Sequence, residues 1–146
     1  MNTIAPYLLT MTMTKPGRLI YLTSSMHRGG STDLSRLESG TGSYSDSKLW
    51  VTVLSAAFVD RWSGTTSHAV DPGWVPTRMG GADAPDDLTA GHETQVWLAT
   101  DPDVTSATGG YWYHLRTQTP NPVVRDKGFQ TRLITVLEHM TGVPTS

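Results

Sequence analysis

The stretch Tyr44-Ser45-Asp46-Ser47-Lys48 places a tyrosine and a lysine four residues apart. If this stretch is helical, the two side chains lie on one face, because positions i and i+4 are separated by about one turn. A lysine ammonium close to a phenol favours the phenolate, which makes the phenol a proton donor and acceptor near neutral pH. The same spacing also occurs as a surface pair on ordinary amphipathic helices. The sequence around the pair therefore has to decide between these two interpretations.

Strand patterns lie on both sides of this pair. Residues 17–25 (GRLIYLTSS) have the pattern of a short buried strand that ends in hydroxyl groups. Residues 66–77 (TSHAVDPGWVPT) are typical of a second strand that leads into a turn-rich loop. Strands that alternate with helices favour a parallel sheet with right-handed crossovers. The sequence predicts strands near 18–23, 66–71 and 109–113, helices near 2–13, 44–62, 88–100 and 129–141, and long loops over 27–43 and 72–87.

The order of these features resembles the short-chain dehydrogenase/reductase family. In that family a strand ends in serine, a helix carries Tyr-x-x-x-Lys, and a later strand leads into Pro-Gly-x-Val-x-Thr. The resemblance runs from Asn2 to about Trp112 and implies an α/β fold, the C-terminal half of a Rossmann-like doubly wound parallel sheet. About three strands with flanking helices would form a single partial domain over residues 1–146. The serine-rich strand end followed by His27 is similar to the retinol-dehydrogenase-like members.

The resemblance also implies a set of catalytic residues. Tyr44 would transfer the proton to or from the substrate oxygen, and Lys48 would support it and hydrogen-bond the nicotinamide ribose. Ser24 takes the position of the serine that polarises that oxygen, with Ser25 as the alternative. Asn2 matches an asparagine that anchors a water relay to the lysine, although its position equally predicts an N-cap on the first helix.

The cofactor implied is NAD or NADP, and the substrate is a small carbonyl compound or alcohol. Pro72, Gly73, Val75 and Thr77 resemble the loop that holds the nicotinamide carboxamide and the pyrophosphate, and Tyr44 and Lys48 would contact the same cofactor.

The substrate pocket would be lined by residues 74–87, including Trp74 and Met79, together with the region of Trp112. Asp71, although a carboxylic acid, is interpreted as structural, because many members of the family have a small or amide residue there.

The glycine-rich motif that binds the cofactor pyrophosphate in this family has no counterpart in the sequence. Neither G-x-x-x-G-x-G nor G-x-G-x-x-G follows a predicted strand, and Gly29-Gly30 and Gly80-Gly81 fall in predicted loops. We expect the chain to be the catalytic half of a reductase, and to bind and turn over nicotinamide dinucleotides poorly by itself. Two functions stay open: an NAD(P)-dependent oxidoreductase fragment, or a catalytically silent truncated homologue that self-associates or binds a partner.

Composition and charge argue against several other classes of protein. A net charge of −2 gives no electrostatic case for nucleic acid, and no apolar run approaches the about 20 residues that span a bilayer. The N-terminus lacks the pattern of a signal peptide, so we expect a cytoplasmic protein. The sequence contains no cysteine, and His68, His92 and His114 lack metal-ligand spacing, so no metal site is predicted. Without G-x-S-x-G, a serine hydrolase is disfavoured.

The resemblance further implies a homo-oligomer. In the family, the helices that match residues 2–13 and 44–62 pack against their symmetry mates as a four-helix bundle. Leu8, Leu49 and Val53 are expected to belong to an apolar face that would otherwise be exposed.

Overall fold

The computed structural model of the chain describes residues 1–106 and 108–145. Its strands form one open sheet in the spatial order β1-β2-β3-β4. The first three strands are parallel, and β4 pairs antiparallel with β3. The predicted α/β class and parallel pairing are therefore confirmed. The strands are β1 (Arg18–Leu22), β2 (Thr66–Asp71), β3 (Tyr111–Tyr113) and β4 (Arg116–Thr117).

The helices cover the sheet, and the four long ones match the predicted segments within a few residues. They are α1 (Ile4–Thr12), the short α2 (Ser35–Glu38), α3 (Tyr44–Arg61), α4 (Ala90–Thr100) and α5 (Lys127–Thr141). Single 3₁₀ turns occur at Ser25–Gly29, Pro102–Ser106 and Pro122–Arg125. The predicted loop over 27–43 is thus partly helical.

The strand β4 was not predicted. It follows β3 through a two-residue turn in which His114 and Leu115 have positive φ angles of 45° and 63°. Hairpin turns with this backbone are usually formed by Asn-Gly or Asp-Gly. Because this turn contains a histidine and a leucine instead, the sequence does not indicate a hairpin.

Two apolar cores lie on opposite faces of the sheet, because alternate residues of a strand point to opposite sides. The larger core joins β1 to α1, α3 and α5 and contains Leu19, Tyr21 and Phe58. The smaller core lies against α4. It contains Trp112, which is only 8% exposed and whose ring packs edge-on against Trp97. The side chain of Trp112 is therefore part of this core, and the expectation that the region around it helps to line a substrate pocket stays a prediction.

The helix α3 is buried inside the chain. Leu49 and Val53 are 0% exposed, so they form no exposed apolar face, contrary to the expectation from sequence. The segment Ser25–Gly29 and the helix α5 cover this part of α3. On α1, Leu9 is the strongly exposed apolar side chain, at 62%, whereas Leu8 is only half-buried.

Asn2 does not cap the first helix. The N-cap is Thr3, whose side chain makes no capping hydrogen bond. The side chain of Asn2 instead donates a hydrogen bond to the hydroxyl of Ser47 on α3, 3.2 Å away. Competition from this tertiary contact explains why the local prediction failed.

Candidate active site

Several predicted site residues lie at the carboxyl ends of the parallel strands β1 and β2: Ser24 and Pro72 follow these strands, and the Lys48 ammonium binds the carbonyl of Leu22. Leu22 pairs with Val70, so Ser24, two residues after β1, and Asp71, the last residue of β2, lie within one residue of the same level. The backbone N–H of Thr23 continues the pairing by donating to the carbonyl of Val70 at 2.8 Å. In open parallel sheets, ligands bind at the carboxyl ends of the strands. The location of these residues therefore fits a binding site.

The start of α3 is fixed just before Tyr44. Ser43 is the N-cap, and it forms a capping box with Asp46: its hydroxyl accepts from the N–H of Asp46, and the Asp46 carboxylate accepts from the N–H of Ser43. These contacts satisfy two backbone donors that a helix start leaves free. The first helical turn, which carries Tyr44, is therefore held in a defined orientation.

Asp46 also ties the preceding loop to this helix. Its carboxylate, which is 2% exposed, accepts a hydrogen bond from the N–H of Ser31 at 2.7 Å and lies 3.1 Å from the guanidinium of Arg36. Burial raises the pKa of Asp46, but the backbone hydrogen bonds from Ser43 and Ser31 outweigh this effect and hold it below its ordinary value. Sequence analysis missed this role, which the S-x-x-D spacing of Ser43 and Asp46 could have indicated.

Lys48 faces Tyr44, as the four-residue spacing predicted. Its ammonium nitrogen lies 5.5 Å from the centroid of the Tyr44 ring and donates a hydrogen bond to the carbonyl of Leu22 at 3.1 Å. The hydroxyl of Thr23 donates to the Lys48 carbonyl at 3.2 Å, so the end of β1 holds the same turn of α3. Burial lowers the pKa of Lys48, and the negative charge of Asp71 opposes this shift.

Ser24 lies two residues after the end of β1 and is the N-cap of the 3₁₀ turn Ser25–Gly29. Its hydroxyl oxygen accepts a hydrogen bond from the N–H of Met26 at 3.2 Å, and this contact leaves the hydroxyl proton free to be donated. The Ser24 side chain is half-buried, whereas that of Ser25 is exposed. Both serines therefore stay candidates for contact with a substrate oxygen.

His27, in the 3₁₀ turn that follows β1, is fully buried. Its Nδ1 lies 2.8 Å from the carbonyl of Ser24, and its Nε2 accepts from the N–H of Asn121 at 3.1 Å. This pattern assigns the neutral ring with the proton on Nδ1. Burial lowers the pKa of His27, which agrees with the neutral form. Its ring also packs edge-on against Tyr111, with the centroids 4.9 Å apart.

Asn2 lies beside the lysine-bearing turn through its hydrogen bond to Ser47, the residue before Lys48. The adjacent Thr3 hydroxyl donates to the carbonyl of Ser47 at 3.2 Å. The start of α1 is therefore joined to α3 next to the candidate site, although the Asn2 side chain itself is directed to Ser47 rather than to Lys48.

The loop after β2 is ordered by two carboxylates. Asp71 accepts from the N–H of Gly73 at 2.8 Å, and Asp86 accepts from the N–H of Trp74 at 2.6 Å and from the hydroxyl of Tyr113 at 3.4 Å. Gly73 has a φ of 83°, and a Cβ there would lie 2.5 Å from the Asp86 carboxylate. Glycine is therefore required at this position.

The other predicted cofactor contacts form local interactions in this loop. Val75 is half-buried, and a Cβ added at Gly91 would lie 2.6 Å from its side chain. Thr77 is exposed, and its hydroxyl accepts from the N–H of Gly80 at 3.1 Å. Trp74 and Met79, predicted to line a pocket, are 61% and 91% exposed.

A cleft of about 270 Å³ lies between the end of α3 and α5. Its lining residues include Arg61, Trp62 and Glu138, and none of its lining residues is a predicted site residue.

Within residues 1–106 and 108–145, no group of three or more His, Asp or Glu is placed to hold a metal ion. Across that same part of the chain, no helix combines the length and apolar character that crossing a membrane requires.

Comparison with known proteins gives three similar sequences. The chain is 34% identical to the short-chain dehydrogenase chyC of Penicillium rubens and 33% identical to the short-chain dehydrogenase chry4 of Gibberella zeae, each over 152 aligned residues. An uncharacterized oxidoreductase of Emericella nidulans is 32% identical over 146 residues. Each alignment covers 97% of this chain but only 57–59% of the relative, so the chain spans less than three fifths of their length. No protein-family model matches the chain.

Proposed function

We propose that this chain belongs to the short-chain dehydrogenase/reductase family and carries the proton-transfer site of an NAD(P)-dependent oxidoreductase. The similarity to proteins named short-chain dehydrogenases over 97% of the chain supports an oxidoreductase function. One structural observation carries the assignment of the site: the Lys48 ammonium lies 5.5 Å from the Tyr44 ring at the carboxyl edge of the parallel sheet.

The residues at this edge fit the nicotinamide end of such a cofactor. Tyr44 is 45% exposed, so its ring is accessible to a ligand. Lys48 donates one N–H to Leu22, and an ammonium has two more for a ribose hydroxyl. Gly73 lacks a side chain where the loop after β2 begins, which lets another group approach the backbone closely. Pro72, Val75 and Thr77 belong to the same proposed contact.

When bound, the cofactor would supply the hydride that is exchanged with a carbonyl or alcohol carbon. The chain's own residues handle the proton and the oxygen. Tyr44 gives its phenolic proton to the substrate oxygen during reduction and takes it back during oxidation. The positive charge of Lys48 stabilises the phenolate that forms, because opposite charges in a partly buried site attract strongly. Ser24, or Ser25 beside it, donates a hydrogen bond to the same oxygen.

Asn2 would complete the site by anchoring a water near the lysine. Its side chain is held at Ser47, adjacent to Lys48 in the sequence, and this location supports the proposal. The retinol-dehydrogenase-like subgroup and the cytoplasmic location remain predictions from the sequence.

Lys48→Met tests this assignment. Because the chain spans under three fifths of its relatives, we would measure turnover in a hybrid in which it replaces the aligned segment of the Penicillium rubens protein. The assay follows oxidation of NADH and NADPH with a panel of aldehydes and ketones. Lys48→Met should lower kcat at least tenfold and also weaken nucleotide binding, because Lys48 serves both the phenol and the ribose.

Lys127→Met is the matched control, since Lys127 is a surface lysine paired with Asp60 on α3. It should leave both constants within twofold of the unsubstituted hybrid, because surface ion pairs contribute little. Equal kinetic constants for the two variants would contradict the role given to Lys48.

We also propose that a second copy of the chain packs on α1. Two apolar side chains of this segment are exposed. Leu9 on α1 is 62% exposed, and Met13, the C-cap residue of the helix, is 46% exposed. Leu9→Glu should then shift the chain toward monomer in light scattering at micromolar concentrations. A monomeric unsubstituted chain under the same conditions would exclude the proposal.

A further inference from the structure

Asp71 is a buried carboxylate that shapes the Gly73 turn and takes no part in the proton transfer proposed for Tyr44. It ends β2 and is 5% exposed. Its side chain lies on the face of the sheet that carries α3, as alternation from Ser67 requires, since the Ser67 hydroxyl donates to the carbonyl of Ser55 on α3 at 2.7 Å. Asp71 is therefore on the same side of the sheet as Lys48.

Both oxygens of Asp71 have hydrogen-bond donors, but these donors are neutral. Oδ1 accepts from the N–H of Gly73 at 2.8 Å, and Oδ2 accepts from the hydroxyl of Tyr111 at 3.3 Å. Burying a carboxylate costs free energy unless a positive charge compensates for the lost water. A cation at longer range would add to the stabilisation that these two neutral donors give.

Two cations lie at this end of the sheet. The Lys48 ammonium is held on the carbonyl of Leu22, whose strand partner Val70 precedes Asp71. The guanidinium carbon of Arg28 lies 5.4 Å from the centroid of the Tyr111 ring, whose hydroxyl donates to Asp71. Lys48 and the Asp71 carboxylate therefore lie at the same end of the parallel strands and on the same side of the sheet.

We propose that Asp71 is a positioning residue whose buried negative charge favours the protonated form of Lys48 beside Tyr44. This inference rests on the proposed function for its catalytic meaning, but the coupling between the two charges stands without it. The interpretation of Asp71 as purely structural is thereby extended: the same carboxylate shapes the Gly73 turn and favours the charged form of the lysine.

The role assigned to Asp71 does not fall to the other titratable groups near it. Burial lowers the pKa of Lys48, which favours loss of its proton, and the charge of Asp71 acts in the opposite direction. Burial raises the pKa of Tyr111 and lowers that of His27, so both groups are neutral near pH 7. Tyr44 lies on the same helix as Lys48, and Arg28 is a cation that disfavours a second positive charge. The negative charge of Asp71 raises the pKa of Lys48.

The titration of Lys48 can be measured on the chain itself. The sequence contains three lysines, Lys15, Lys48 and Lys127, so ¹³C-methylation of the lysines gives three side-chain NMR signals besides the N-terminus. Lysine-to-arginine variants assign them. In Asp71→Asn, the titration midpoint of Lys48 should fall by about 0.5–1 pH unit, because an opposite charge that favoured the protonated form has been removed. The midpoints of Lys15 and Lys127 should not move.

Two further variants separate charge from structure. Asp71→Glu keeps the charge and should restore most of the Lys48 midpoint. Tyr111→Phe removes a neutral donor from Asp71 and should move the Lys48 midpoint by less than Asp71→Asn does. Should Asp71→Asn fail to fold, Asp71→Ser carries the same expectation. A Lys48 midpoint that is unchanged in the folded uncharged variant, or that falls equally in Asp71→Glu, would overturn the inference.

The pH dependence of kcat tests the effect of Asp71→Asn independently. In the hybrid, Asp71→Asn should move the alkaline limb of the kcat profile to lower pH by the shift measured for Lys48. A shifted Lys48 midpoint with an unmoved pH profile would support the charge coupling and contradict the catalytic role of Lys48. If the Lys48 midpoint does not shift but Tyr44→Phe lowers turnover as expected, the inference is overturned and the proposed function stays in place.

Discussion

Tyr44→Phe is expected to lower kcat of the hybrid about 10²–10⁴-fold, the usual contribution of a positioned general acid or base. Phenylalanine keeps the ring, including its contact with the Lys48 ammonium at 5.5 Å, and removes only the oxygen that exchanges the proton. Nucleotide affinity should therefore stay within about twofold, because the loss falls on the chemical step. Stopped-flow oxidation of the nucleotide and equilibrium titration measure the two quantities separately.

Tyr113→Phe is the matched control for this variant. It removes a phenolic oxygen that donates to Asp86 in the loop after β2, and it leaves Tyr44 and Lys48 untouched. We expect less than a tenfold effect on kcat. Near-parental turnover by Tyr44→Phe, or equal losses in the two variants, would show that Tyr44 is not the proton donor.

Gly30→Ala is expected to destabilise the chain by about 3 kcal/mol, the upper part of the range for overpacked sites. A Cβ at Gly30 would lie 2.5 Å from the Cβ of Leu49 and 2.6 Å from the carbonyl oxygen of Ser45, so it meets backbone as well as side chain. These two residues belong to the turns of α3 that carry Tyr44 and Lys48. The added methyl group must therefore push the preceding loop away from α3.

Gly29→Ala provides a control at the neighbouring residue, because a Cβ there has nothing within 4 Å. Its stability should lie within about 0.5 kcal/mol of the unsubstituted chain, as is usual for surface substitutions. Urea unfolding followed by tryptophan fluorescence gives both values. Equal stability of the two variants would mean that the loop does not pack against α3 as described.

The main elements of the fold could be predicted because their patterns are local. The apolar residues of β1 and β2 and the periodicity of α3 and α5 each identify an element, and alternation of strands and helices identifies a parallel sheet. The Tyr44 and Lys48 pair was predictable for the same reason, since a four-residue spacing on a helix fixes which side chains face each other.

The parts that were missed depend on contacts between distant residues. Asp46 joins α3 to Ser31, and Asp86 closes the loop after β2 against Tyr113, but neither contact leaves a periodic trace. The burial of Leu49 was also misjudged, because sequence pattern alone cannot say that a polar, glycine-rich segment will pack over a helix. Gly30 is the residue that permits this packing, and only the structure shows why.

The transfer of isotope tests the central claim most directly. The hybrid is incubated with NADH and NADPH deuterated at the transferable position of the nicotinamide C4 and with the carbonyl compound that it reduces fastest. We predict that the unsubstituted hybrid forms an alcohol with one deuterium at the carbinol carbon. The rate at which this alcohol forms should be at least 100-fold lower in Tyr44→Phe. A folded hybrid that binds nucleotide but forms no deuterated alcohol, or one in which Tyr44→Phe forms it as fast, would contradict the account.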